Sequence, residues 1–290
     1  MPELPEVETV RRTVAAATAG KCVVGGTLMR ADVWNGDGSW KAIASAWVGK
    51  RLGDPIRAGK QLALLTEDGA EQPVVCVHLG MSGRLCVYRS GDALPKHTHW
   101  RLDFEDGSTL AFTDPRRFGG LWGYPSLAEL QTRRWSGLGP DATTIGPAAL
   151  HRGLGNTRRA LKAALLDQNV VAGLGNIYVD ELLFATRLSP WTPGNRITRK
   201  DCERLVRAMR TLLGRAIAAG GTTLRDYVDA DGQAGSFALK HRAYGRGGLK
   251  CTRCRAVMST GLLAQRTTVW CERCQGNGNV EGLPDKKEVL

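Results

Sequence analysis

Hydrophobic positions recur at helical spacing close to the start of the chain. Val7, Val10 and Val14 mark one face of an amphipathic helix expected from about Glu3 to Ala17. From Cys22 to about Tyr124 the pattern shortens into apolar runs separated by turns, such as Leu62 to Leu65 and Val74 to Val77. Asp106-Gly107 lies between two alternating runs, which predicts a β-hairpin. This region therefore reads as an antiparallel β-sandwich or barrel. Ser136 to Gly155 is rich in Gly and Pro and reads as a linker between domains. Helical periodicity then dominates from Thr157 to Ala219. It predicts helices over Thr157 to Gln168, from Asn176 past Phe184, and over Arg199 to Ala219. A glycine-bearing turn, Val171 to Gly175, separates the first two. Asp229 to Gly248 is polar and aperiodic, so a long loop is expected there. The polar residues 277–290 read as a disordered tail.

Charge adds a first functional constraint. Forty Lys and Arg against 28 Asp and Glu leave a net charge of +12 in 290 residues. A basic excess favours nucleic acid, with an anionic membrane as the weaker alternative, since no basic amphipathic helix with a broad apolar face stands out. Many basic proteins bind no nucleic acid, so charge alone does not decide. No run approaches the roughly 18 apolar residues of a membrane span. The acids Glu3, Glu6 and Glu8 at the start are unlike a signal peptide, so a cytoplasmic protein is expected.

Three local patterns could carry chemistry. Cys251-x2-Cys254, sixteen residues, then Cys271-x2-Cys274 has the spacing of a structural metal site. Four thiolates favour Zn²⁺, and four protein ligands close the shell, so one structural zinc per chain is expected. Arg266, beside the tip of the intervening hairpin, reads equally as a phosphate contact or a solvated charge. Gly173-Leu-Gly-Asn176 joins two helices, and the free amides of a helix start suit a phosphate; taken by itself, the turn reads first as a helical hairpin with Asn176 as a simple N-cap. The start Met1-Pro-Glu-Leu-Pro-Glu is the third pattern. Removal of Met1 would make Pro2 a secondary amine able to form an iminium, with Glu3 and Glu6 placed to move protons. Read locally, the same residues also suit an ordinary helix start, with Pro in the first turn and acids on the dipole.

These patterns occur in order with several others. They are Met1-Pro-Glu-Leu-Pro-Glu-Val-Glu-Thr9, His78-Leu-Gly-Met-Ser-Gly83, Asp114-Pro-Arg-Arg-Phe-Gly119 and Gly173-Leu-Gly-Asn-Ile-Tyr178, followed by Gly220-Gly-Thr-Thr-Leu224, Tyr244-Gly-Arg246 and Gln265-Arg-Thr-Thr-Val-Trp-Cys271. Together they resemble the bacterial formamidopyrimidine-DNA glycosylases, in the 8-oxoguanine branch of the group that also holds the endonuclease VIII-type enzymes. The resemblance runs to Gln275.

The resemblance implies an α+β multidomain fold. It comprises a catalytic β-sandwich with an N-terminal helix (1–135), a linker (136–155), and a helix-two-turns-helix domain with a loop that closes over the lesion (156–245). A zinc hairpin (246–276) and the tail (277–290) follow. It implies a bifunctional glycosylase and AP lyase that excises oxidised purines and nicks the strand by β,δ-elimination. Pro2 would be the nucleophile, Glu3 the general acid/base and Glu6 its support, with Lys60 in the catalytic set. Met81, Arg116 and Phe118 would fill the gap left by the flipped nucleotide. Lys60, His78, Asn176, Tyr244 and Arg266 would hold phosphates. The implied partner is double-stranded DNA carrying oxidised bases or abasic sites. The chain would act as a monomer, without a membrane and without a redox or nucleotide cofactor. Gly59 departs from the Ala expected before Lys60, and Arg158-Arg159 stands where some relatives carry lysines. The alternatives are an endonuclease VIII-type enzyme for oxidised pyrimidines and a zinc-containing DNA-binding module without chemistry.

Overall fold

The computed structural model describes residues 2–36, 38–69, 71–223 and 227–276. Met1, Leu224 of the Gly220 motif, and the expected tail lie outside them. The chain divides into two compact units. One runs to Gly137 and takes back Ala216–Ala238; the other holds Leu138–Arg215 and the chain from Leu239 on.

The first unit begins with helix α1, Leu4–Thr18, which buries Leu4, Val7, Val10 and Val14 as the spacing predicted. Two sheets follow. The four-stranded sheet has the order β1 (Val23–Leu28), β7 (Thr98–Phe104), β8 (Thr109–Thr113), β6 (Arg84–Tyr88), all antiparallel. The five-stranded sheet has the order β2 (Trp34–Gly36), β9 (Gly120–Tyr124), β5 (Val74–His78), β4 (Gln61–Leu64), β3 (Ile56–Ala58). The β2–β9 pair is parallel and the other pairs are antiparallel. Leu85, Leu102, Leu110 and Phe112 of one sheet share a core with Leu62, Leu64, Val75, Val77 and Leu121 of the other, with the valines of α1 against it. The Asp106-Gly107 hairpin forms as expected, with Gly107 at φ +77°. Sequence periodicity missed α2, Trp40–Trp47, whose Trp40, Ile43 and Trp47 enter the same core, and the short α3, Leu127–Leu130, which follows β9.

The second unit is helical. Its helices are α4 (Pro147–Gly155), α5 (Leu161–Leu166), α6 (Asn176–Thr186) and most of α7 (Arg199–Ala218). Two expectations are corrected here. The supposed linker contains α4, which buries Leu150 and Leu154. The helix expected over Thr157 to Gln168 is only α5, because residues ahead of it bond another segment: Gly194 N–H donates to Arg159 O at 2.9 Å and Asn195 N–H to Thr157 O at 2.9 Å. By contact, Ala216–Ala238 groups with the first unit, where Ala230 N–H donates to Thr13 Oγ1 and Tyr227 Oη–H to Glu6 O. Strands β10 (Ser259–Leu263) and β11 (Arg266–Trp270) form the expected hairpin. Its two turn residues, Ala264 and Gln265, both take positive φ, as a tight two-residue hairpin requires.

Candidate functional site

Pro2, Glu3 and Glu6 are all buried at the N-terminal end of α1. Glu6 is 1% exposed and is held by two backbone amides: Glu3 N–H donates to Oε2 at 2.8 Å and Thr222 N–H to Oε1 at 2.7 Å. The first bond is half of a capping box, so the local demand of a helix start and the placement of an acid behind Pro2 are met by one contact. The second needs Gly221. At φ +80°, with a Cβ that would lie 2.9 Å from Glu6 Oε1, only glycine lets this backbone come so close. Tyr227 lies against the same acid, and burial followed by the charge of Glu6 pushes its phenol pKa up.

Lys60 is buried beside the β3–β4 turn, and two residues that sequence reasoning passed over fix that turn. Glu8 accepts from Arg57 Nε at 3.0 Å, and Arg57 Nη1 donates to Gly59 O at 3.0 Å, so α1 is tied to the turn through one guanidinium. Burial raises the Glu8 pKa, but hydrogen bonds from Arg11, Arg12 and Arg57 outweigh it and hold the carboxyl at about 2. Gly59 stands at φ +55°, which accounts for glycine at the position where Ala was expected. His78 ends β5. Burial, then the nearby charges of Arg134 and Lys60, push its pKa down to about 4. Gly80 N–H donates to His78 Nδ1 at 3.3 Å, so the neutral ring carries its proton on Nε2.

Met81, Arg116 and Phe118 come together on two loops packed backbone to backbone. A Cβ on Gly80 would lie 2.3 Å from Gly119 N, and one on Gly119 would lie 2.5 Å from His78 O. Asp114, fully buried, clamps the pair: it accepts from Ser82 Oγ at 2.5 Å and from Gly119 N–H at 2.8 Å. On this rigid base Met81 is 41% and Phe118 56% exposed, and the Arg116 guanidinium lies 4.5 Å from the centre of the Phe118 ring. Two large apolar side chains and a cation are thus held out in solvent by a built scaffold, which core packing does not explain.

In the second unit the glycine turn is organised by Gln168, which donates to Leu174 O at 2.9 Å and accepts from Gly173 N–H at 2.9 Å. Gly175, not Asn176, is the N-cap of α6. Asn176 instead donates through Nδ2 to Thr267 O at 3.0 Å. The same carbonyl takes a bond from Lys162 Nζ at 2.9 Å, and Lys162 forms a fully buried ion pair with Asp180 at 2.6 Å. Asp180 Oδ2 accepts from Val269 N–H, so α5 and α6 together grip β11, the strand that begins with exposed Arg266. Tyr244 is set by Glu181, whose carboxylate accepts from the backbone N–H groups of Arg242, Ala243 and Tyr244 at 2.8–3.0 Å. No sequence signal marks Glu181 or Asp180, because their partners lie 61–63 and 89 residues away.

The four cysteines converge. Their sulfurs lie within 4.8 Å of one another, with Cys254 Sγ to Cys271 Sγ at 3.4 Å and Cys251 Sγ to Cys274 Sγ at 4.0 Å. A tetrahedral site with metal–sulfur bonds of about 2.3 Å requires separations of about 3.8 Å, so the cluster fits one ion.

Residues 1–121 match the model of the formamidopyrimidine-DNA glycosylase N-terminal domain, and residues 137–228 match that family's H2TH domain. The chain belongs to the formamidopyrimidine-DNA glycosylase family. A formamidopyrimidine-DNA glycosylase of Stenotrophomonas maltophilia is 40% identical over 281 residues, covering 95% of this chain and all of the relative. One from Geobacillus kaustophilus is 38% identical over 283 residues, again covering 95% and 100%. Among solved structures, the MutM (Fpg) protein of Thermus thermophilus aligns with a TM-score of 0.83 at 37% identity, over 96% of this chain and 100% of that one. A Lactococcus lactis Fpg mutant bound to DNA containing Fapy-dG aligns with a TM-score of 0.86 at 28% identity, over 95% and 100%. Within this chain, Pro2, Glu3, Glu6, Lys60, His78, Met81, Arg116 and Phe118 fall in the stretch matched to the N-terminal domain, and Asn176 in that matched to H2TH. Tyr244, Arg266 and the four cysteines lie beyond both stretches.

Proposed function

We propose that Pro2 is the nucleophile with which this chain removes damaged bases, after loss of Met1. The chain is a DNA glycosylase of base excision repair for oxidised purines, with the AP lyase activity of its family. The observation that carries the assignment of Pro2 is the acid pair directly behind it: Glu3 and Glu6 are buried, and Glu6 is locked by two backbone amides. The free amine has a pKa near 8, so on the order of a tenth is unprotonated at neutral pH. Its nitrogen bonds to C1′ of a flipped nucleotide as the glycosidic bond breaks and the base departs with the bonding pair. Glu3 passes protons to and from the reacting atoms, and Glu6 fixes the helix start that presents both. Ring opening leaves an iminium that acidifies the neighbouring C2′ proton. Its loss expels the 3′ phosphate, and a second elimination expels the 5′ phosphate.

Duplex DNA with oxidised bases or abasic sites is the partner in this reading. Met81 and Phe118 wedge into the vacated step, Arg116 bonds the orphaned base, and Lys60, His78, Asn176, Tyr244 and Arg266 hold phosphates. The cysteine site takes one Zn²⁺, and four thiolates leave no open position, so the ion is structural. Its contribution is to fix the hairpin that carries Arg266. The chain works as a monomer in the bacterial cytoplasm, at the nucleoid. Excision from duplexes carrying 8-oxoguanine opposite C and thymine glycol tests the substrate reading. At least tenfold faster release of 8-oxoguanine is expected; equal or faster release of the pyrimidine contradicts it.

A further inference from the structure

We propose that Arg134 binds a DNA backbone phosphate beside Lys60 and His78, an inference that rests on the phosphate role proposed above for those two residues.

Three observations carry it. First, the guanidinium is built in place: its Cζ lies 3.5 Å from the centre of the Trp122 ring, and Nε donates to Gln61 Oε1 at 2.5 Å. Gln61 is itself committed, accepting also from Trp135 Nε1 at 3.2 Å and Cys76 Sγ at 3.3 Å. A planar cation stacked on indole and anchored through Nε loses little freedom when its outer edge binds an anion. Second, its charge is not neutralised by a carboxylate: among the described residues no ion pair is formed by Arg134, which besides Gln61 hydrogen-bonds the Cys76 thiol, a weak and uncharged partner. Third, its place is the right one. Gln61 and His78 are register partners on adjacent strands, as are Cys76 and Trp122, so these side chains share one face of the five-stranded sheet. Tyr124, Leu127 and Leu130 close most of that face, with Trp122 and Trp135 against them. Arg134 stands where the cover gives way to His78, and it is close enough for its charge to depress His78 protonation together with that of Lys60. A phosphate diester supplies accepting oxygens for the guanidinium N–H groups of Arg134 that face outward.

The test compares wild type, Arg134→Gln and Arg134→Lys for binding to a duplex with a tetrahydrofuran abasic-site analogue, across a series of KCl concentrations. Arg134→Gln is expected to bind about tenfold more weakly and to lower the slope of log K against log[KCl] by about 1. Arg134→Lys is expected to restore the slope and part of the affinity, since lysine keeps the charge and loses the fork. An unchanged slope in Arg134→Gln overturns the proposal and leaves Arg134 a structural anchor. If Arg134→Gln does not fold, phenylglyoxal labelling of the wild-type protein decides: Arg134 should react in the free protein and be protected by the bound duplex, and equal reaction in both overturns the proposal. Borohydride trapping of wild type on an 8-oxoguanine duplex runs beside these measurements. Trapping with an unchanged slope defeats only this inference, whereas absence of both trapping and binding defeats the functional reading beneath it.

Discussion

His78 is a histidine that the surrounding residues keep neutral. Its pKa is pushed to about 4 by burial and by the cations Arg134 and Lys60, and Gly80 N–H occupies Nδ1. In ¹⁵N NMR its imidazole should remain the Nε2–H tautomer from pH 8 down to pH 5, and a titration midpoint near 6.5 would contradict the geometry. Glu8 shows the opposite adjustment. Its folded-state pKa of about 2 lies below the ordinary 4.5, so its ionised form stabilises the fold fully above pH 4.5, and the gain is lost as pH falls toward 2. Its worth is on the order of 2 kcal/mol once solvent screening is allowed for. Denaturant unfolding should therefore show stability falling between pH 5 and pH 2, and Glu8→Gln should be less stable at pH 7 with a flatter acid limb; an equally steep limb in the variant counts against the Glu8–Arg57 tie.

At the scale of elements, the same pattern recurs: a buried carboxylate holds backbone amides beside a residue of the proposed site. Asp114 does this for the loops of Met81, Arg116 and Phe118, Glu181 for Tyr244, and Asp180 with Lys162 for β11. The hairpin is further tied by the cysteines. Cys271→Ala should lose bound zinc by metal analysis and weaken DNA binding at least tenfold, because removing one ligand releases the small module; a variant that retains one zinc and full affinity contradicts the site. The elements also show why some were legible in sequence. The α1 valines and the Asp106-Gly107 turn depend on neighbours a few residues apart, and both were read correctly. Helix α4 lies in a stretch whose Gly and Pro content has the look of a linker, whereas Pro147 sits in the first turn, where Pro starts a helix. Helix α2 was hidden among strands although its Trp40, Ile43 and Trp47 have helical spacing. Contacts that need distant partners, such as Glu181 with Arg242, leave no local trace.

For the molecule as a whole, the sequence motifs single out the start of α1, the loops of Met81 and Phe118, and the four cysteines. What the structure adds is the set of residues that hold the surrounding segments: Thr222, Arg57, Asp114 and Lys162. The net charge of +12 predicts that DNA binding weakens as salt rises. The chemistry, by contrast, is proposed for one atom, the nitrogen of Pro2. The most direct measurement is borohydride reduction of the protein on an 8-oxoguanine duplex, followed by peptide mass mapping of the adduct. The wild type should be trapped through the N-terminal peptide beginning at Pro2, and Pro2→Gly should lose nearly all of that adduct. An adduct mapped to a lysine, or no adduct from protein shown to lack Met1, would contradict the assignment of Pro2.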